Sequence, residues 1–361
     1  MKVVVVGASG NVGSAVLSRL ARESSVSEIV GVARRVPSPG AGAPYDGVDW
    51  RSIDVDGPGV VGALTNAVRG ATAVIHLAWQ IQPSHDQARL RRTNVQGAAN
   101  TAEAVVRAGV GTLVVASSVG AYAPGPKDRH VDESWPTTGV RWSTYSRDKV
   151  HVERLLDEVE RREPGLRVIR MRPALTFQRA AASEIARLFI GPLAPLSLLG
   201  KGRLPVVPGG PRLRVQGVHA TDVADAYVRA VLAGAPGAFN VAADPVLDGP
   251  AVAARYHGRV VPVPVPLLRA AAGVTWTARL QPVEPGWIDL AAGVPLLSSA
   301  RATAELGWTP TVDALDALDE LFVGMADRAG APTAPLRERL PAPARLAALL
   351  SGRLPGHGDP Y

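Results

Sequence analysis

Tyr145 and Lys149, the ends of Tyr-Ser-Arg-Asp-Lys, are spaced to do chemistry together. Side chains at i and i+4 share one helix face. A phenol with a pKa near ~10 carries protons poorly at neutral pH, and a nearby ammonium favours its phenolate. Lowering that pKa by ~3 units needs about 4 kcal/mol of differential stabilisation. With six Tyr in 361 residues and lysine only at Lys2, Lys127, Lys149 and Lys201, chance gives about 0.07 such pairs. The pair is therefore read as a general acid/base and the group that sets its pKa.

The second constellation is Gly7-Ala8-Ser9-Gly10-Asn11-Val12-Gly13. Glycines let a backbone turn tightly and approach a pyrophosphate, and a helix N-terminus offers free N–H donors. The turn lies between the first predicted strand and the first predicted helix, the place a dinucleotide site requires. Gly7, Ser9, Gly10, Asn11, Val12 and Gly13 are the candidate contacts. The third is Ser117-Ser118-Val119-Gly120-Ala121-Tyr122, at the carboxyl end of the fifth strand, where such sheets bind ligands. A hydroxyl there can hold a substrate carbonyl or alkoxide.

The elements that must position these residues alternate. Strands are predicted at Val3–Val6, Ile29–Val32, Ser52–Val55, Ala73–Leu77, Leu113–Ala116 and Val168–Met171, with helices at Asn11–Arg22, Val60–Arg69, Asp86–Ala108 and Ser143–Arg162. That order predicts an α/β fold, a doubly wound parallel sheet of Rossmann type. After Pro173 the chain is rich in Pro, Gly and Leu. Helices are predicted at Ala182–Ile190, 221–233 and Leu315–Met325, and a last strand at Ala238–Val241. Residues 245–297 read as irregular. Residues 1–173, with 215–242 returning, form the predicted dinucleotide domain. Segments 174–214 and 243–328 form a smaller, discontinuous substrate-binding part. Residues 329–361 read as a tail, a linker followed by a short helix at Ala342–Leu350 and a frayed end.

Composition narrows the function classes. Hydrophobic residues make up 47% of the chain, enough for a sizeable core, and charged residues 20%. The formal charge of +7 is scattered arginine with no basic tract, which argues against nucleic acid. The absence of cysteine rules out disulfides, thiol catalysis and Cys-ligated metal. Seven histidines show no HxxxH or HExxH spacing, so no metal is predicted. Strand-like residues begin at Val3, which leaves no room for a signal peptide, and no apolar run reaches the ~20 residues that span a bilayer. The expectation is a cytoplasmic enzyme with a small-molecule substrate, no nucleic acid and no membrane, with a homodimer as a candidate assembly.

Taken in order, the motifs resemble the extended short-chain dehydrogenase/reductase family, the NAD-dependent epimerase/dehydratases. The likeness runs to about residue 326. After the glycine turn come His76-Leu77-Ala78, Asn94-Val95-Gln96-Gly97, Ser118 with Tyr122, Tyr145 with Lys149, and Arg172-Pro173. Val218-His219-Ala220-Thr221-Asp222-Val223-Ala224, Phe239-Asn240-Val241-Ala242 and Glu305-Leu306-Gly307-Trp308 follow. The resemblance implies a tetrad of Asn94, Ser118, Tyr145 and Lys149. Tyr145 is then the acid/base. Lys149 lowers its pKa and holds the nicotinamide ribose, Ser118 orients the reacting oxygen, and Asn94 supports the proton relay. It also implies cofactor contacts at Asp54, Val55, Leu77, Ala78 and Pro173. Thr221 and Asp222 read as a cap for the helix that follows.

The second strand ends Gly31-Val32-Ala33-Arg34-Arg35, without the acidic residue NAD users place there. Arg34 and Arg35 suit a 2′-phosphate, so NADP is expected, with NAD the alternative. Trp79, Tyr122 and Trp142 are candidates for an apolar substrate site. Nucleotide-sugar enzymes usually continue from Arg-Pro towards Tyr-Gly-Pro; here the chain reads Ala174-Leu175-Thr176-Phe177. The arginine expected four residues before His219 is Val215, with Arg214 one step earlier. The function expected is NAD(P)-dependent oxidoreduction at a carbonyl or secondary alcohol of a fairly apolar small molecule. The alternatives are a nucleotide-sugar epimerase or dehydratase with tightly bound NAD, and a dinucleotide sensor without catalysis.

Overall fold

The structure is a computed structural model and describes residues 1–81, 84–190, 199, 202–278 and 281–338. Its frame is a parallel sheet of β1 (Lys2–Val6), β2 (Glu28–Ala33), β3 (Asp49–Ser52), β4 (Ala73–His76), β5 (Thr112–Ala116), β7 (Arg167–Pro173) and β11 (Gly237–Val241). Their spatial order is β11-β7-β5-β4-β1-β2-β3. The chain thus winds outward from β1 in both directions, a Rossmann-type arrangement, and the reversal at β1 opens a crevice at the carboxyl ends of the strands.

The four valines of β1 show why that strand runs apolar from Val3 to Val6. Val3 and Val5 enter one layer, with Val16, Leu17 and Leu20 of α1 (Asn11–Leu20) and Val223 and Tyr227 of α7 (Ala220–Ala233). Val4 and Val6 enter the other, with Leu64 of α2 (Val60–Val68), Ala98 and Val105 of α4 (Gly97–Arg107) and Leu156 of α5 (Thr144–Arg162). A strand covered on both faces loses the apolar/polar alternation of a half-buried one.

Among the described residues, three smaller sheets lie outside this frame: β8 (Leu175–Phe177) with β10 (Arg214–His219) and β12 (Ala243–Asp248), β9 (Val206–Gly209) with β13 (Arg259–Pro262), and β6 (His130–Val131) with β14 (Leu296–Leu297). Segment 215–242 therefore divides: β11 joins the large sheet, while β10 belongs to the β8–β12 sheet. The predicted long helix over 86–108 is broken. α3 (Gln87–Arg91) and α4 are joined by a π-helical turn, Arg92–Gln96. The third strand lies at Asp49–Ser52 rather than Ser52–Val55, with Trp50 packed over Gly31.

Residues 245–297 are not irregular. They hold β12, β13, β14, α8 (Gly249–Arg255), α9 (Val265–Thr277) and α10 (Pro285–Gly293). All three helices carry proline in their first turn, where the missing N–H costs nothing. Two further helices, α11 (Ala300–Leu306) and α12 (Ala314–Ala326), close the layer around Trp308, whose indole donates to the carbonyl of Asp222. The cap of α7 is His219, not the Thr221/Asp222 pair. Asp222 instead accepts from the backbone of Thr311 and Val312 and from the Thr311 hydroxyl. The predicted helix at 342–350 lies outside the described residues. Residues 329–338 are no linker; they pack back onto the molecule.

Candidate active site

A cavity of about 590 Å³ opens at the carboxyl edge of the large sheet. Gly7, Ser9, Gly10, Asn11, Val12 and Gly13 line one side of it, with Arg34, Asp54, Val55, Leu77 and Ala78 around them. The glycines are dictated by space. Gly7 has φ +88°, and a Cβ there would lie 2.5 Å from the Ala78 nitrogen; one on Gly13 would lie 2.4 Å from the Gly7 carbonyl oxygen. Gly10 precedes α1 without any side-chain cap, so the first-turn N–H groups are left for a ligand's anion. This cradle fits the diphosphate of a dinucleotide. Asn11 has a structural tie: Gln178 donates to its side-chain oxygen at 2.6 Å. Arg35 lies in a side recess with Ser9, Arg34 and Glu184.

Ser118, Tyr145, Lys149 and Pro173 line the same cavity. Ser118 ends the strand β5 region and accepts from Gly120 N–H at 3.0 Å in the 3₁₀ turn that follows. Tyr145 and Lys149 stand on successive turns of α5, whose N-cap is Ser143. Ser146 locks the two pieces together. Its hydroxyl donates to the Gly120 carbonyl at 2.5 Å and accepts from Val140 N–H at 2.6 Å. A Cβ at Gly120 would lie 2.8 Å from the Tyr145 ring, so this glycine lets the ring rest against the serine turn.

Burial dominates the electrostatics. It pushes the Tyr145 phenol up to about 12, opposed by a hydrogen bond with Ser118. It pushes the Lys149 ammonium down to about 7, opposed by Glu153 and Asp148. The expected lowering of the phenol by Lys149 is not what this arrangement gives. Lys149 Nζ donates to the Ala116 carbonyl at 2.7 Å and sits 3.4 Å from the Trp79 ring centroid. His76, at the end of β4, is buried beside this lysine and pushed down to about 3, so its ring is neutral.

Asn94, in the π-helical turn, does not line the main cavity. It bonds both backbone groups of Gln80, receiving from its N–H at 2.7 Å and donating to its carbonyl at 3.0 Å. It faces an adjoining recess shared with Tyr145 and Asp148. Trp79 lines the cavity and meets Tyr145 edge-on at 5.8 Å.

Two substrate candidates are displaced. Tyr122 is fully buried away from the cavity, where it receives from Arg172 at 2.9 Å and donates to Asn240 at 2.7 Å. Trp142 is 60% exposed, under the guanidinium of Arg141. It directly precedes the helix cap and points outward; the aromatic wall beside Tyr145 is Trp287 of α10, at 5.1 Å.

Sequence reading missed several residues here. Glu153, one turn beyond Lys149, accepts a bidentate pair from Arg172 at 2.8 and 2.9 Å and the Ser117 hydroxyl at 2.5 Å. Arg172 holds its carboxyl below the usual range despite burial. The i+4 spacing from Lys149 was the available signal. Trp287, Phe189 and Glu184 complete the far wall, together with Leu188, Leu290 and Val294; no local motif marks them. Burial pushes Glu184 up to about 7, opposed by Arg187.

Residues 3–242 match the model of the NAD dependent epimerase/dehydratase family. An uncharacterized protein of Mycobacterium tuberculosis is 26% identical over 332 residues, covering 89% of this chain and 83% of that one. UDP-glucose 4-epimerase of Neisseria meningitidis serogroup C is 27% identical over 242 residues, 63% of this chain and 66% of that one. The crystal structure of Thermus thermophilus UDP-glucose 4-epimerase in complex with NAD superposes with a TM-score of 0.64 at 23% identity, covering 91% of this chain and 99% of that one. At that identity the likeness establishes the fold.

Proposed function

This chain belongs to the NAD dependent epimerase/dehydratase family, and from that membership we propose that it moves hydride between a nicotinamide dinucleotide and the carbon of a secondary alcohol or ketone. The observation that carries the reading is Tyr145, hydrogen-bonded with Ser118 and one helical turn from Lys149, on a cavity whose other side is the glycine cradle. When bound, the dinucleotide supplies the hydride acceptor or donor. Tyr145, held protonated by burial, donates to an alkoxide oxygen in the reducing direction and takes the hydroxyl proton in the other. Ser118 orients that oxygen. Lys149, bonded to the Ala116 carbonyl at the cavity wall, is placed to reach a ribose hydroxyl. Glu153 and Arg172 hold the floor beneath them.

The relatives favour one fate for the hydride. The Neisseria relative and the Thermus structure are UDP-glucose 4-epimerases. On that reading the substrate is a nucleotide sugar, oxidised and reduced again on a dinucleotide that stays in place. A second reading, net oxidoreduction of an apolar alcohol or ketone, rests on the far wall. Leu188, Phe189, Trp287, Leu290 and Val294 are apolar, and among the described residues of that wall the ionisable side chain is the acid Glu184 rather than a cation for a diphosphate. The cofactor choice divides similarly: NAD is bound in the Thermus structure, while Arg34 on the cavity and Arg35 in the recess favour NADP.

One experiment separates the two readings. The protein is incubated with UDP-glucose or with apolar ketones plus reduced dinucleotide. The near-ultraviolet band of reduced nicotinamide and the products are followed together. An epimerised or dehydrated sugar without net loss of the band supports the first reading. Stoichiometric loss of the band with a ketone supports the second. Neither reaction across both classes would overturn the proposal.

A further inference from the structure

The chain does not leave the molecule after α12. Ala329 N–H donates to the Gly324 carbonyl at 2.8 Å, and Arg328 takes a positive φ of 58°, which turns the backbone back towards the cavity. α6 (Ala182–Ile185) then holds the returning segment. Ser183 donates from its N–H to the Ala329 carbonyl at 3.1 Å and from its hydroxyl to the Arg328 carbonyl at 2.9 Å. Just beyond α6, Arg187 donates to the carbonyls of Pro335 at 2.6 Å and Arg337 at 2.7 Å. The loop closes on itself through Ala331 N–H to the Leu336 carbonyl at 2.7 Å. Leu336 is fully buried and Thr333 4% exposed. At its tip the Thr333 hydroxyl donates to the carbonyl of Ser9, in the middle of the glycine cradle, at 2.9 Å. Pro335 lines the main cavity, and Ala334 and Pro335 line the recess that holds Arg34 and Arg35.

We propose that residues 329–338 are a working part of the dinucleotide site: a strap, anchored on α6 and tied by Thr333 to Ser9, that positions the glycine cradle and slows escape of the bound dinucleotide. The inference rests on the reading of the cavity as a dinucleotide site. Two structural features carry it. The Ser9 carbonyl is fixed by a side chain more than three hundred residues away, so the conformation of the cradle depends on the strap. The same strap is bonded to Ser183 and Arg187, which flank the Glu184 that faces the cavity. Closure over the cofactor and placement of the far wall are thereby mechanically joined. Thr333 acts through Ser9 and is a positioning residue. Slow release is what internal return of hydride needs, since the dinucleotide must outlast the oxidised intermediate of the substrate.

The test compares the full chain with Thr333→Val, Thr333→Ser and a chain ending at Arg328. Reduced NAD and NADP are the probes, and release is followed by stopped-flow fluorescence. Thr333→Val keeps the shape and removes one hydroxyl donor, so release should quicken about fivefold, the value of one hydrogen bond. Thr333→Ser should stay within about twofold of the unmutated rate, because the donor is kept. The shortened chain, if folded, should release faster still than Thr333→Val, because the whole closing segment is gone. Unchanged release in Thr333→Val, with a lowered melting temperature, would make the segment a structural brace alone and overturn the proposal. Full-length protein that binds neither dinucleotide would overturn the cavity's assignment as well, and calorimetric titration distinguishes that outcome.

Discussion

The cavity's two sides are built from different materials. The nucleotide side is Gly7, Gly10 and Gly13, where the chain contributes backbone and where a Cβ on Gly7 or Gly13 would collide with neighbouring backbone. The far side is Leu188, Phe189, Trp287 and Leu290, where it contributes side chains from segments a hundred residues apart. Backbone recognition suits a diphosphate common to many enzymes, while side-chain lining sets what else can enter. Tyr145 and Lys149 stand between the two, on a helix locked to the serine turn by Ser146. Chemistry is thus kept apart from selectivity, and each side can be altered alone.

Of the two sides, the backbone side should show the larger effect on dinucleotide affinity when broken. Gly13→Ala places a methyl 2.4 Å from the Gly7 carbonyl oxygen. Dinucleotide affinity should fall by ~10²-fold or more, close to 3 kcal/mol. Trp287→Ala should leave that affinity within about threefold while changing substrate KM, because its ring lies over Tyr145 and not on the cradle. Calorimetric titration of both variants checks this. Equal losses of dinucleotide affinity would show that the two sides are not separable.

Glu184 sharpens the comparison through pH. An unfolded glutamate ionises near 4.5, whereas burial holds Glu184 un-ionised up to about 7. Ionisation between those values favours the unfolded chain, so this group costs stability as pH rises through that window. Glu184→Gln should therefore stabilise the protein at pH ~8 by about 1–3 kcal/mol and change little at pH ~4. Urea unfolding at the two pH values measures it. A variant less stable at the higher pH would mean that the carboxylate is matched by a partner when charged.

The smallest effect is expected at the edge of the nucleotide side. If the 2′-phosphate is read there, Arg34→Ala with Arg35→Ala should weaken NADPH by about tenfold and NADH by less than threefold. Titrations in which NADH already binds the unmutated protein more tightly would assign the site to NAD.

What the sequence made legible follows the same division. The run Val3–Val6, the glycine spacing and Tyr145 with Lys149 are local patterns, and each is tied to a period or a turn that sterics enforce. Glu153 was nearly as local, one turn beyond Lys149, yet its meaning depends on Arg172 arriving from β7. Trp287 could not be told from Trp142 without the fold, because only the path of α10 brings residue 287 against Tyr145. The prolines of 245–297 suggested loops, although in three places they begin helices. Tyr122 matched a motif position but its hydroxyl is spent on Arg172 and Asn240. Thr333 lay in what read as a tail, and nothing nearby in sequence points to Ser9.

The account turns on Tyr145 as the proton carrier. Tyr145→Phe removes the transferable proton and leaves the ring against Gly120, Trp79 and Trp287. The measurement is steady-state turnover of this variant beside the unmutated enzyme, on whichever substrate class responds, with dinucleotide affinity titrated in parallel. Turnover should fall by ~10²–10⁴-fold, the usual loss of general acid–base help, with the dinucleotide Kd held within about threefold. Near-normal turnover in Tyr145→Phe would contradict the account and leave this cavity a dinucleotide site whose chemistry lies elsewhere.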